Sequence, residues 1–197
     1  MTVSVTEPTC KKDGYTTYEC KDCKRVRVED IKAQGHKFDN NDICSVCGTE
    51  KPITVGAFEL RNAENDEYTY SDGILTIVKD GAELTISNVD QMTSTTDRIV
   101  VKKDVSAKIT LAEVNIDVWS QTDACAFKIA DDSTGNVTIT LADGKTNVLK
   151  SGSKCAGLQK NGTTGTLTIG GTGELEATSY GYGAGIGGGK NKSSTGI

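Results

Sequence analysis

Residues 135–141 read Gly-Asn-Val-Thr-Ile-Thr-Leu, and thirty positions further on residues 165–169 read Gly-Thr-Leu-Thr-Ile. The same interval joins Ile109-Thr-Leu111 to Ile139-Thr-Leu141, and Ala124-Cys-Ala-Phe127 to Lys154-Cys-Ala-Gly157. Each phrase alternates β-branched or aliphatic residues with threonine, as a short strand with one buried face does. A sandwich also uses many short strands, but nothing in its packing keeps similar side chains at a fixed sequence offset. Stacked coils do, because each residue then lies above its equivalent in the coil before. The body of the chain therefore reads as an all-β solenoid.

The period continues into Tyr182-Gly-Ala-Gly-Ile-Gly-Gly-Gly189, where Ala184-Gly-Ile186 follows Ala156-Gly-Leu158 by 28 residues and Gly196 follows Gly165 by 31. Slips of this size fit insertions at the corners of coils. They place Ala184 and Ile186 on one side, toward the core, with glycines where the chain bends or backbones stack closely. The period also sets Cys125 over Cys155, about 4.8 Å apart as neighbouring strands are. That separation permits a disulfide and equally an inward ladder of free thiols, which is the reading taken here. The only histidine, His36, belongs to the other region, so neither cysteine reads as a catalytic nucleophile.

Composition changes near residue 52. Residues 55–197 hold the strand phrases and no proline, whereas residues 1–52 hold five of the seven cysteines and both prolines. Length is consistent with this division, since 197 residues accommodate one moderate and one small domain. Residues 1–52 carry 9 Lys/Arg and 9 Asp/Glu, so the net charge of −5 falls entirely on the second part. An acidic body without a basic face argues against nucleic acid as a partner. There is neither an apolar run long enough to span a bilayer nor the tripartite pattern of a secretory signal, so no membrane insertion is expected of this stretch. It reads as a piece of a longer protein, with an open coil edge through which copies could associate.

In the first region Cys20-Lys-Asp-Cys23 and Cys44-Ser-Val-Cys47 are two CxxC pairs. Two residues between thiolates let one tight turn aim both sulfurs at a single ion, so two such turns complete a four-thiolate structural zinc site. The flanks of the first pair, Tyr15–Glu19 and Arg25–Val28, alternate like the strands of a hairpin. Gly48 after the second pair suits a left-handed backbone, while Lys24 after the first suits it less. Cys10 and His36 bring the candidate ligands to six, two more than one structural zinc takes. A Cys3His site of Cys10, Cys20, Cys23 and His36 is the alternative.

The phrases Pro8-Thr-Cys10, Gly14-Tyr15, Tyr18-Glu-Cys20-Lys-Asp-Cys23, Gly35-His36 and Cys44-Ser-Val-Cys47-Gly48 resemble small cysteine-rich, zinc-ribbon-like modules of Gram-positive surface proteins. The body, through Gly183–Gly189, Gly165–Ile169 and Gly171–Leu175, resembles right-handed parallel β-helix domains of bacterial surface proteins, some related to carbohydrate-binding β-helices. These resemblances imply a bacterial extracellular or cell-surface location and a polysaccharide or host glycan as partner, acidic polysaccharides included. They also imply structural zinc and a calcium association. Fold does not fix function, and a structural stalk or a polysaccharide lyase or hydrolase fragment are the other readings.

Enzymes on such folds need clustered carboxylates or carboxylates beside a base. Asp117, Asp123, Asp131, Asp132 and Asp143, with Lys128, Lys145 and Lys150, are the available groups. A shift of thirty sets Asp117 over Asn147 and Asp131 over Asn161, giving polar stacks without a carboxylate pair, so no catalysis is expected. Aromatic rings stack on pyranose faces, and Trp119, Tyr180 and Tyr182 are the late aromatics. Alternation through Val114–Val118 puts Trp119 on the face of Asp117, and these four residues form the candidate ligand site.

Overall fold

A computed structural model describes all residues, 1–197, as two compact units, Met1–Lys51 and Pro52–Ile197. In the first, β1 (Thr2–Thr6), β2 (Gly14–Glu19) and β3 (Val26–Ile31) form an antiparallel sheet in the order β1-β2-β3. The expected hairpin is β2–β3, closed by the Cys20–Cys23 turn. Val3, Val5, Val26 and Val28 are all exposed, so neither face of this sheet is covered. Cys10 and Cys44 are the only buried apolar side chains of the unit. A unit of this size with so little apolar burial needs a staple.

The second unit opens with antiparallel strands β4 (Ile53–Val55), β5 (Phe58–Arg61) and β6 (Tyr68–Ser71). Parallel coils follow. Strands β7 (Ile74–Ile77), β9 (Arg98–Val101), β12 (Phe127–Ile129), β15 (Leu158–Lys160) and β18 (Ile186–Gly187) build one wall. A second wall is β8 (Ala82–Asn88), β10 (Ala107–Leu111), β13 (Val137–Leu141) and β16 (Leu167–Gly171). The third is β11 (Asn115–Asp117), β14 (Thr146–Ser151) and β17 (Glu174–Ser179). β5 and β6 pair antiparallel with β8 and β7, so hairpins close the first coil's edges. This cap carries no repeat and was not foreseen.

The opening phrase sits where it decides the fold. Val137, Ile139 and Leu141 of β13 lie in register with Ala107, Ile109 and Leu111 of β10, and Val137 and Ile139 with Leu167 and Ile169 of β16. Their inward side chains make continuous aliphatic columns, and burying each contributes on the order of 1.5–3 kcal/mol. Threonines 110 and 140 stack outside in the same register. Elsewhere the corners absorb residues. Phe127 registers with Leu158, 31 positions on, rather than with Gly157 as a strict period of thirty requires. Asp117 registers with Lys150, 33 positions on, rather than with Asn147.

Asn147 is instead fully buried at a corner. Its Oδ1 accepts from Val114 N (3.0 Å) and its Nδ2 donates to Glu174 O (3.2 Å), tying three successive coils. Asn88, in the first coil, bridges to the second alone, accepting from Asn115 N and donating to Asn115 O. Buried corners expose backbone groups that no ladder satisfies, and a buried carboxamide supplies both donor and acceptor.

Two expectations are corrected. Cys125 and Cys155 are joined as a disulfide, Cα atoms 5.2 Å apart, and are not a ladder of free thiols; stacking on adjacent coils brings them inside bonding range. Ala184 and Ile186 are exposed rather than core. Ile186 does occupy the register place of buried Leu158, but β18 is the outermost strand of its wall and no coil covers it. The motif's glycines serve close approach: a Cβ on Gly183 would sit 2.1 Å from Cys155 O.

Candidate functional sites: a Cys3His cluster and an aromatic face

The metal-ligating side chains gather at one end of the small sheet. The loop between β1 and β2 brings Cys10 there through a turn in which Thr9 N donates to Lys12 O. Past β3, a bridge between Phe38 and Cys44 and the bond from Ser45 N to Lys37 O fold the His36 segment against the second CxxC turn. Ligand atoms of Cys10, His36, Cys44 and Cys47 then all lie within 4.8 Å of one another. Cys10 Sγ is 3.7 Å from Cys44 Sγ, and Cys47 Sγ is 3.3 Å from His36 Nδ1. A zinc tetrahedron with Zn–S near 2.3 Å and Zn–N near 2.0 Å has edges of roughly 3.5–3.8 Å. Three sulfurs and one imidazole at this spacing fit zinc as a donor set.

Charge in the cluster is distributed as a metal site requires. Burial would raise the Cys44 thiol, but the Cys47 and Val46 N–H groups and His36 outweigh it and hold it at about 5. Burial, with Cys44 and Cys47 alongside, pushes Cys10 up to about 11. His36 is raised by its contact with Cys44, and its Nε2 is buried without a hydrogen-bond partner. A compact set of thiols around one thiolate and an imidazole relieves this competition when a divalent cation replaces the protons.

The four-thiolate grouping is corrected accordingly. Cys44 and Cys47 join Cys10 and His36; Cys20 and Cys23 stand apart. The reason is the length of β2, whose six residues span roughly 20 Å at about 3.3 Å each. Cys10 precedes that strand and Cys20 follows it, so they lie at opposite ends. The Cys10, Cys20, Cys23, His36 alternative fails for the same reason. The cluster is the one group of three or more His, Cys, Asp or Glu side chains close enough to share an ion.

On the solenoid, the third wall carries the aromatic residues. Asp117 Oδ1 accepts from Trp119 N at 3.0 Å, fixing the turn that turns the indole outward. Trp119 and Tyr180 meet edge to face with ring centroids 5.0 Å apart. They are 61 residues apart, two coils of 33 and 28 in this wall's register. In the coil between, the position after Ser151 is Gly152, where a Cβ would fall 1.6 Å from Gln121 O. No side chain stands there to separate the rings. Asp117, Trp119, Lys150, Glu176 and Thr178 line an open depression of about 320 Å³. Tyr182 stands further along, 71% exposed, with Lys190 Nζ 4.5 Å from its ring centroid.

Of the four predicted contact residues, the structure brings Asp117, Trp119 and Tyr180 together. Glu176 and Thr178 were missed, and Lys150 was noted only as a charge. Their signal was the register itself: Lys150 and Thr178 are the equivalents of Asp117 in the next two coils.

Comparison with family models, curated proteins and solved structures finds no match for the chain.

Proposed function

We propose that the chain is a surface module in which a metal-stapled head accompanies a solenoid that binds polysaccharide through the Trp119–Tyr180 face. The observation that carries this reading is the solvent-facing aromatic pair beside Asp117, Lys150, Glu176 and Thr178. Flat apolar rings with hydroxyl-binding groups around them match the two-sided chemistry of a pyranose. An extracellular bacterial location is part of the reading, supported by a disulfide across adjacent coils, since such bonds persist in oxidising compartments. No helix is long and apolar enough to cross a membrane.

The reading assigns binding without catalysis. Asp131 accepts from Asn161 and Asp143 from Thr172 across adjacent coils, and Asp131 also pairs with Lys128 of its own coil, so these carboxylates are already engaged. A glycan array, followed by calorimetry on the strongest ligand, tests it. Trp119→Ala is expected to weaken binding at least tenfold, about 1.4 kcal/mol, with the solenoid's melting temperature unchanged. An array with no ligand would favour a purely structural stalk, and release of unsaturated or reducing ends from a polysaccharide would favour an enzyme.

A further inference from the structure

The Cys20–Cys23 turn is left over once the cluster is assembled, yet it is built like the turn that serves the cluster. In both, the residue after the second cysteine donates its N–H to the first cysteine's carbonyl: Lys24 to Cys20 at 3.0 Å and Gly48 to Cys44 at 2.8 Å. In both that residue is left-handed, φ 58° at Lys24 and 71° at Gly48. For a lysine this costs on the order of 1 kcal/mol, and it gives the two CxxC turns the same backbone form. The Cys23 N–H lies 3.4 Å from Cys20 Sγ and orients it. Cys23 is exposed and Cys20 half-buried, at the tip of β2–β3. Around the tip lie Met1 and Val26, 70% and 61% exposed, which with Tyr18, Cys20 and Arg25 line a shallow depression.

A CxxC turn of this form supplies two thiolates, and a structural zinc takes four ligands. This unit's other cysteines and its histidine converge at the opposite end of β2, so the chain has no further thiolate or imidazole to offer at the tip. A two-fold axis through the ion supplies the deficit with the same two sulfurs from another molecule, and two-fold contacts are the commonest way identical chains assemble. We propose that Cys20 and Cys23 form half of a second zinc site, completed as a four-thiolate tetrahedron by the same pair from a second copy of this chain. Met1 and Val26 of each copy would be covered as the tips meet.

The test uses the full chain, reduced at the head and saturated with zinc, with metal content and sedimentation measured together. The expected result is 1.5 zinc per chain and a dimer that a chelator disperses. Cys20→Ser/Cys23→Ser should retain one zinc per chain, which reports that the cluster is folded, and sediment as a monomer. Cys23→His keeps a zinc donor in place and should still dimerise. One zinc per chain with a monomeric native protein would overturn the proposal. So would two zinc per chain in a monomer, because the tip would then fill its coordination without a partner. Half an equivalent with a dimer would support the bridge while removing the Cys3His assignment. None of these outcomes depends on glycan binding.

Discussion

Cys44→Ser is expected to unfold residues 1–51 and leave the solenoid's thermal transition where it was. The head has no alternative source of stability: its sheet is exposed on both faces, and its only buried apolar side chains are Cys10 and Cys44, the latter 1% exposed. Metal binding in small thiolate sites supplies about 10–16 kcal/mol of apparent free energy that is also folding free energy. Serine removes a thiolate from the centre of the cluster and leaves a buried hydroxyl. The change should eliminate one zinc per chain and collapse the amide dispersion of the head in an NMR spectrum, and a strong chelator should reproduce both effects in the unmutated chain. A dispersed head spectrum in Cys44→Ser at zero zinc would remove the structural role of the metal.

Breaking the Cys125–Cys155 bond should lower the stability of the solenoid by about 3.5 kcal/mol. The bond closes a loop across 30 residues, and the chain-entropy relation for that length gives about this value. For a unit of this size each kcal/mol moves the melting temperature by roughly 2–4 °C, so the drop is roughly 10 °C. Cys125→Ala, Cys155→Ala and the double substitution should be nearly equivalent, because any one of them opens the bond. Calorimetry checks this, and a loss under about 1 kcal/mol would show that the coils are already held in the unfolded ensemble or that the bond does not form.

The sequence made the coils legible because stacking copies one coil's needs onto the next. Ile109, Ile139 and Ile169 occupy one column in the structure, and their spacing alone locates it. The corners were harder. Through them the coils vary from 24 to 33 residues between equivalent positions, and a single fixed shift therefore misplaced Asp117 against Asn147 and hid Asn147's role as a buried bridge. The cap of β4, β5 and β6 was invisible because antiparallel strands there have no repeat to copy. Disulfide or free thiols at Cys125 and Cys155 could not be separated, since one Cα spacing serves both.

In the head, ligand identity was legible and grouping was not. Six ligand side chains were named from their spacing, and four of them converge. Pairing CxxC with CxxC follows from local turn chemistry, whereas the length of β2 is what divides the set, and strand length acts between the motifs rather than within either. The aromatic face lay between these cases. Trp119 and Asp117 were readable from alternation, but the meeting with Tyr180 depends on two unequal coils and on Gly152 between them.

Parallel stacking in the stated register is the claim on which the aromatic face, the disulfide and the corner bridges all rest. Thr138→Cys/Thr168→Cys places two small side chains on partners in register across β13 and β16, with the first half-buried and the second exposed. Thr140→Cys/Thr168→Cys displaces one of them by two residues along the strand, to a Cα separation of roughly 8 Å, beyond the usual disulfide range. Under mild oxidation, peptide mapping is predicted to find the 138–168 link near completion and the 140–168 link scarcely formed. Preference for the 140–168 link, or equal linking of both pairs, would contradict the solenoid described here.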